Sequence, residues 1–342
     1  MLDVVTIGTA ARDVFLQSKF FKIVRDPVHL KKIGFVTGEA ECFALGGKVE
    51  VDDVTATTGG GAANAAVTFA RQGLKTGAFI RVGQDAAAAS IINDLESEGI
   101  SVNPLRRGKT AYSTILLSSD GERTILVFRG DSSLVAPDYL VKRLSARWAY
   151  VVPGGISLPI LRRIFDRLHR QGIRIAFAPS RHVLEAGRRQ AGSLFEKSDI
   201  VLMNREEAAL LTGVDFGKER EIFKSLNALV APGIAVMTDG GRGVLVSDGT
   251  VIYEAGVFRE KKLADRTGSG DAFGSGFVSA LIQQGLAAKD RQSAEKIKKA
   301  IRAGSANATS VVEHIGAHAG ILTAKQLKDK RWSKFSIQIR RW

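Results

Sequence analysis

The segment Asp265-Arg266-Thr267-Gly268-Ser269-Gly270-Asp271 holds the residues best suited to chemistry in this chain. Gly268 and Gly270 flank Ser269 and lead into Asp271, after which an amphipathic pattern begins. That order predicts a helix N-terminus whose unpaired backbone N–H groups can cradle an anion. A passive phosphate cradle would exclude a carboxylate, because the two repel. A carboxylate fits there if it accepts a proton beside a phosphoryl group in transfer, so Asp271 reads as the base of a phosphotransferase. Phe273, Phe277 and Leu281 follow at i, i+4 and i+8 as one apolar stripe. Gly274 and Gly276 inside that helix each cost about 1 kcal/mol relative to alanine, which predicts close packing against a backbone or a ligand. Alone, the segment also admits a flexible loop running into a core helix.

A second glycine-rich entry into a small-residue helix is Thr58-Gly59-Gly60-Gly61-Ala62-Ala63-Asn64. Its glycines would let a ligand approach the backbone, and Asn64 offers a two-sided amide for hydroxyl recognition. Alone, this too admits a turn before a tightly packed alanine helix. Neither segment is a P-loop. Gly108-Lys109-Thr110 has Asn103 where the leading glycine of that motif should stand, and no clean dinucleotide fingerprint occurs.

Elements of a definite kind must hold these segments. Short apolar runs at Val4–Gly8, Gly77–Gly83, Trp148–Pro153, Ile173–Ala178, Ile200–Met203 and Ile234–Thr238 predict strands. Helical patterns at Gly61–Gln72, Ala86–Glu98, Leu158–Gln171, Arg205–Leu211 and Glu219–Leu229 lie between many of them. The alternation predicts an α/β fold, a doubly wound, mainly parallel sheet with helices on both faces. Glu50–Thr57, Tyr112–Ser118 and Thr124–Arg129 read as strands of a small separate β-sheet, the last two joined through Ser119 to Arg123. The stretch from Asp13 to Thr57 is too long for a βα connection of roughly 2–6 residues. We therefore expect one domain over 1–342, with a lid formed by about 14–57 and 110–130.

Composition excludes several classes. A chain of 342 residues with 45% hydrophobic and 25% charged residues is ordinary for a globular enzyme. The single cysteine, Cys42, rules out an intramolecular disulfide or a cysteine-based metal cluster. The first residues, Met1 to Gly8, lack a basic leader and no run of 18 apolar residues occurs, so a cytoplasmic protein without membrane association is expected. The net charge of +14 favours anionic ligands. Its basic residues are scattered, however, and aromatics are only 7%, so no specific nucleic-acid partner is expected.

Together, the two glycine-rich segments resemble the ribokinase family, the PfkB carbohydrate kinases, in both order and spacing. The resemblance spans essentially the whole chain. It implies ATP-dependent phosphorylation of a hydroxymethyl group on a sugar, nucleoside or related alcohol, on a doubly wound α/β domain with a β-sheet lid that often forms a dimer interface. It also implies roles. Asp271 matches the catalytic base, and the N–H groups of Gly268, Ser269 and Gly270 match the anion hole. As a carboxylate at a helix N-terminus, Asp271 is expected to stay ionised and to be a weak base. Asp13, Gly59, Gly60 and Asn64 match the substrate-binding positions. Asn204 and Glu207 match an N-x-x-E motif in which the glutamate organises Mg²⁺ and the asparagine faces the phosphates. Without the resemblance, this motif would read as a helix cap with an acidic first turn. Thr238, Gly240 and Gly243 match the nucleotide-binding turn, and Asn307 with Gly316-Ala317 aligns with the adenine pocket. A monovalent cation is a further candidate cofactor, and a homodimer through the lid is expected.

Some positions depart from the family pattern. Arg266 replaces a common threonine and is open between reaching a phosphate and pointing outward. Gly61 stands where a lysine is frequent, and the usual VGDDxxG segment reads Val82-Gly83-Gln84-Asp85-Ala86-Ala87-Ala88. The acceptor therefore stays open. A ribose- or fructose-like sugar is the first reading. A nucleoside is the alternative and needs an aromatic wall, for which Phe15, Phe35, Phe43 and Tyr112 are the candidates. A phosphosugar is the third, with Lys109, Arg123 and Arg129 as a second phosphate site. The intact Asp271, Gly268–Gly270 and Glu207 argue against a catalytically silent member.

Overall fold

Val4, Val5 and Ile7 are fully buried in the first strand, yet Val4 packs into one hydrophobic cluster and Val5 and Ile7 into another. Strand side chains alternate between faces, so a strand apolar on both faces must lie in a sheet covered on both sides. Trp148 and Tyr150 alternate with Ala149 and Val151 between the same two clusters.

The computed structural model describes residues 1–35, 38–118, 123–130, 144–285 and 294–342. Its strands in chain order begin with β1 (Leu2–Thr9), β2 (Ala11–Ser18), β3 (Lys22–Arg25), β4 (Glu39–Cys42) and β5 (Asp53–Gly59). Then come β6 (Thr76–Val82), β7 (Ser101–Arg106), β8 (Ala111–Ser118), β9 (Arg123–Phe128), β10 (Ala146–Val152) and β11 (Arg174–Phe177). The last five are β12 (Ile200–Asn204), β13 (Ile234–Thr238), β14 (Val244–Ser247), β15 (Val251–Ala255) and β16 (Ile337–Arg341). The large sheet has the order β16-β15-β14-β13-β12-β11-β10-β1-β6-β7. Pairing is parallel from β7 to β13 and antiparallel from β13 to β16. Helices Leu158–Arg170, Gly187–Glu196, Arg205–Thr212 and Glu219–Val230 supply one face's core. Helices Gly61–Arg71, Ser269–Gln283 and Ala294–Val312 cover the other. The expected fold class is therefore observed.

The strand order turns back at β1, whose neighbours are β10 and β6. In a doubly wound sheet the crevice outside the carboxyl ends of the strands at such a switch is where ligands bind. Thr9, Val152, Asn204 and Thr238 all lie at or next to those ends.

The small sheet has the order β5-β2-β8-β9. It begins at Ala11, earlier than the expected 14, and β2 fell in a stretch read as a long insertion. The cause is its mixed pattern: Asp13 and Phe15 share a buried face of β2, so polar and apolar residues do not separate by period. What makes it a strand is pairing along its whole length with β8, from Ala11↔Ala111 to Ser18↔Ser118. The 119–122 part of the expected hairpin connection lies outside the described residues. β3 and β4 pair separately within the insertion.

Candidate active site

Gly60 adopts φ +92° and caps the helix Gly61–Arg71, a backbone conformation that favours glycine. A Cβ there would lie 2.8 Å from the Thr9 carbonyl, and one on Gly59 would lie 1.9 Å from Asp13 Oδ2. The glycines thus let β5 close onto β2 directly behind the Asp13 carboxylate. One turn into that helix, Asn64 Nδ2 donates to Asp271 Oδ2 at 2.9 Å across 207 residues of sequence. Gly61 faces the same carboxylate, since a Cβ on it would sit 3.0 Å from Asp271 Oδ1.

Gly268, at φ +75°, is the N-cap of helix Ser269–Gln283, and Asp271 lies in its first turn. The Asp265 carboxylate shapes this loop. It accepts from Thr267 N (2.9 Å), Thr267 Oγ1 (2.8 Å) and Gly316 N (3.2 Å), and pairs with Arg123 of β9 at 2.9 Å. The Ser269 N–H makes a long 3.3 Å bond to Arg266 O, which an incoming anion can displace. Gly270 has nothing within 4 Å of a built Cβ, so its backbone faces open space.

Asn204 and Thr238 are register partners at the ends of β12 and β13. Asn204 Oδ1 accepts from Glu207 N and Glu207 Oε2 accepts from Asn204 N, both at 2.8 Å, forming a capping box. The cap reading of this motif and its place in the cleft are therefore both true. Asn204, Glu207, Thr238, Gly270 and Asp271 line one cleft together with Tyr150. An adjoining cleft is lined by Thr238, Gly240, Gly243, Phe258, Arg266, Ser269, Gly270, Ser305 and Thr309. Arg266 thus lines the cleft and does not point away from it.

The carboxylates repel one another. Burial, opposed by the Asn64 hydrogen bond and helped by the charge of Asp13, pushes Asp271 above the usual carboxylate range. That corrects the expectation of a weak base, because desolvation outweighs the helix end. Burial also raises Asp13, against a Ser113 hydrogen bond, with Asp265 adding repulsion. Glu207 is raised by burial, and Asp271 and Glu206 push it further.

Some assignments fail on geometry. Asn307 is fully buried and does not line the adjoining cleft. Its Nδ2 donates to Ala272 O at 2.9 Å and its Oδ1 accepts from Leu322 N at 2.9 Å, so it ties the helices together. Gly316 packs near Thr57 and Phe15 of the small sheet and Ala317 packs against Gly268, and neither lines the adjoining cleft. Asp85 caps helix Ala86–Ser97 and holds Thr110 through its backbone N (2.8 Å) and hydroxyl (2.5 Å), so that segment is structural. Arg123 is committed to Asp265 and not free for a second phosphate. Of the aromatic candidates, Phe15 belongs to the lid core with Ile115 and Leu117, and Phe43 packs on Phe21 beside the β3–β4 pair. Sequence reasoning missed His318, whose Nε2 lies 2.9 Å from Asn64 Oδ1.

The model of the pfkB family of carbohydrate kinases matches residues 29–324. The chain belongs to that family. This kinase is 26% identical over 277 residues to ribokinase from Haemophilus influenzae, covering 78% of the chain and 85% of that protein. It is 26% identical over 253 residues to cytidine kinase from Thermococcus kodakarensis, covering 72% of the chain and 86% of that protein. The solved structure of Arabidopsis thaliana ribokinase complexed with ribose and ATP has a TM-score of 0.74 at 18% identity, covering 97% of this kinase and 99% of that chain. At that identity the likeness establishes the fold.

Proposed function

We propose that this carbohydrate kinase transfers the γ-phosphoryl group of ATP to a hydroxymethyl group of a small ribose- or fructose-like sugar. The observation that carries the proposal is the convergence of Asp13, Asn64 and Asp271 on the glycine-rich helix end at the strand switch point. Asp13 orients the acceptor by accepting a hydrogen bond from one of its hydroxyls. Asp271 accepts the proton of the attacking hydroxyl as its oxygen bonds to the γ-phosphorus and the bond to the β-bridging oxygen breaks, leaving ADP. Its raised proton affinity suits that task at neutral pH. The N–H groups of Gly268, Ser269 and Gly270 face the charge that builds on the transferring group.

The nucleotide belongs in the adjoining cleft. Side chains on Gly240, Gly241 or Gly256 would meet nothing within 4 Å, so a ligand can lie against backbone there. The donor set also suits Mg²⁺. Glu207 and Asp271 share one cleft and each is raised by burial, with the Asp271 charge pushing Glu207 up, and a cation relieves this. Among the described residues no group of three or more His, Cys, Asp or Glu could hold a metal. Glu207, water and the phosphates would therefore hold the ion, as Mg²⁺ commonly requires. When bound, it neutralises charge on the phosphate oxygens.

A nucleoside acceptor is the second reading, favoured by the cytidine kinase relative. Against it, Phe15 is used in the lid core and Phe43 lies beside β3–β4. Among the described residues no helix is long and apolar enough to cross a membrane, and an ATP-consuming role fits the cytoplasm. Replacing the base tests the chemistry: Asp271→Asn is expected to lower kcat by roughly 10²–10⁴-fold. Turnover within a few-fold of wild type would remove Asp271 as the base.

A further inference from the structure

His318 has no part in the chemistry above, yet its side chain makes the contact that fixes a residue which does. We infer that His318 is a positioning residue: its Nε2–H holds the Asn64 amide so that the amide NH₂ faces the Asp271 carboxylate. This rests on the kinase reading of Asp271. The two bonds are in series. His318 Nε2 lies 2.9 Å from Asn64 Oδ1, and Asn64 Nδ2 lies 2.9 Å from Asp271 Oδ2. Polarity fixes the order. An ionised carboxylate only accepts, so the amide nitrogen must face Asp271, which leaves the amide oxygen toward His318. That oxygen also only accepts, so Nε2 must carry the proton.

The backbone that carries the imidazole is anchored from the same helix. Arg71, two turns along the helix that carries Asn64, donates from Nη1 to His318 O at 2.7 Å and pairs with Glu98 at 2.6 Å. Burial, with the Arg71 guanidinium adding to it, pushes His318 down to about 4, while Glu98 and Asp94 oppose the shift. At neutral pH the ring is therefore uncharged. It sets the amide's orientation without adding a positive charge next to the carboxylate whose basicity the reaction uses. Among the described residues, the charged or titratable groups coupled to Asp271 are Asp13, Glu207 and Tyr150.

Without His318 the Asn64 amide can rotate, and Asp271 loses a hydrogen bond that lowers its proton affinity. His318→Leu is expected to raise the Asp271 pKa, read by ¹³C NMR titration of the carboxyl carbon, with Asp271→Asn giving the assignment. The acidic limb of the kcat profile should move to higher pH, and kcat should fall roughly 10–100-fold, the loss expected for one hydrogen bond to a charged group. His318→Gln keeps an N–H donor and should restore most of both. In an Asn64→Ala background, His318→Leu should change neither quantity further, because the effect runs through Asn64. His318→Phe takes the place of the leucine variant if melting shows that variant to be unfolded. An unchanged Asp271 titration in His318→Leu, or an equal effect in the Asn64→Ala background, overturns the inference. If wild type phosphorylates no acceptor, the kinase reading fails instead, while the titration still decides whether His318 orients Asn64.

Discussion

Asp271 is held between opposing influences: the helix end and Asn64 favour its charged form, and burial with Asp13 disfavours it. Since the net shift is upward from 3.8, the folded protein binds more protons than the unfolded chain as pH rises through the window above that value. Stability therefore falls as pH rises from the ordinary carboxylate range through the raised pKa of the folded state. Asp271→Asn removes the charge. It should raise the melting temperature at pH 7 by a few degrees, the size of a ~1 kcal/mol change, and lose that advantage below the ordinary carboxylate range. A melting temperature that is unchanged or lower at pH 7 would contradict the direction of the shift. Asp271 and Asn64 were legible because each closes a short glycine-rich motif. His318 was not: it follows the Gly316-Ala317 pair, but its partner lies 254 residues away and no spacing links the two. Asn307 was placed at the adenine pocket by the family resemblance alone, whereas it links Ala272 and Leu322.

At the scale of elements, the first turn of helix Ser269–Gln283 is placed by how closely helix Ala294–Val312 approaches it. Gly276 faces Gly304 Cα, with a built Cβ only 3.2 Å away, and Gly274 faces Tyr150 Oη at 2.6 Å. The close packing expected from two glycines inside a helix is thus against both a neighbouring backbone and a side chain. A Cβ on Gly304 would come within 2.7 Å of the Phe273 carbonyl, two residues past Asp271. Gly304→Ala should cost about 1–3 kcal/mol through overpacking, less the ~1 kcal/mol that alanine gains in a helix. A lower melting temperature and a lower kcat should appear together; an alanine variant as stable and active as wild type would show that the contact is loose. The parallel strands were legible as isolated apolar runs. The antiparallel β14–β16 edge was not, because strands of 4–5 residues such as Val244–Ser247 carry too few alternations to separate from turns.

In the whole molecule the large sheet meets the small one beside the candidate site, with Arg123 of β9 reaching the buried Asp265 of the loop before helix Ser269–Gln283. On β5 and β9, Val54, Ile125, Leu126, Val127 and Phe128 remain exposed, which supports the proposed lid-mediated homodimer. Light scattering should then give twice the 36.7 kDa chain mass, and Leu126→Asp should halve it; a wild-type monomer at micromolar concentration would remove the proposal. The net charge of +14 suits an anionic co-substrate without naming the acceptor. Acceptor identity was the least legible property, because no sequence motif marks the few side chains that would choose it. The most direct test is a coupled assay with ATP–Mg²⁺ against free pentoses, free hexoses, sugar phosphates and nucleosides. Turnover of a free pentose or hexose, abolished by Asp271→Asn, is the predicted result; turnover of nucleosides alone, or turnover that survives Asp271→Asn, would contradict it.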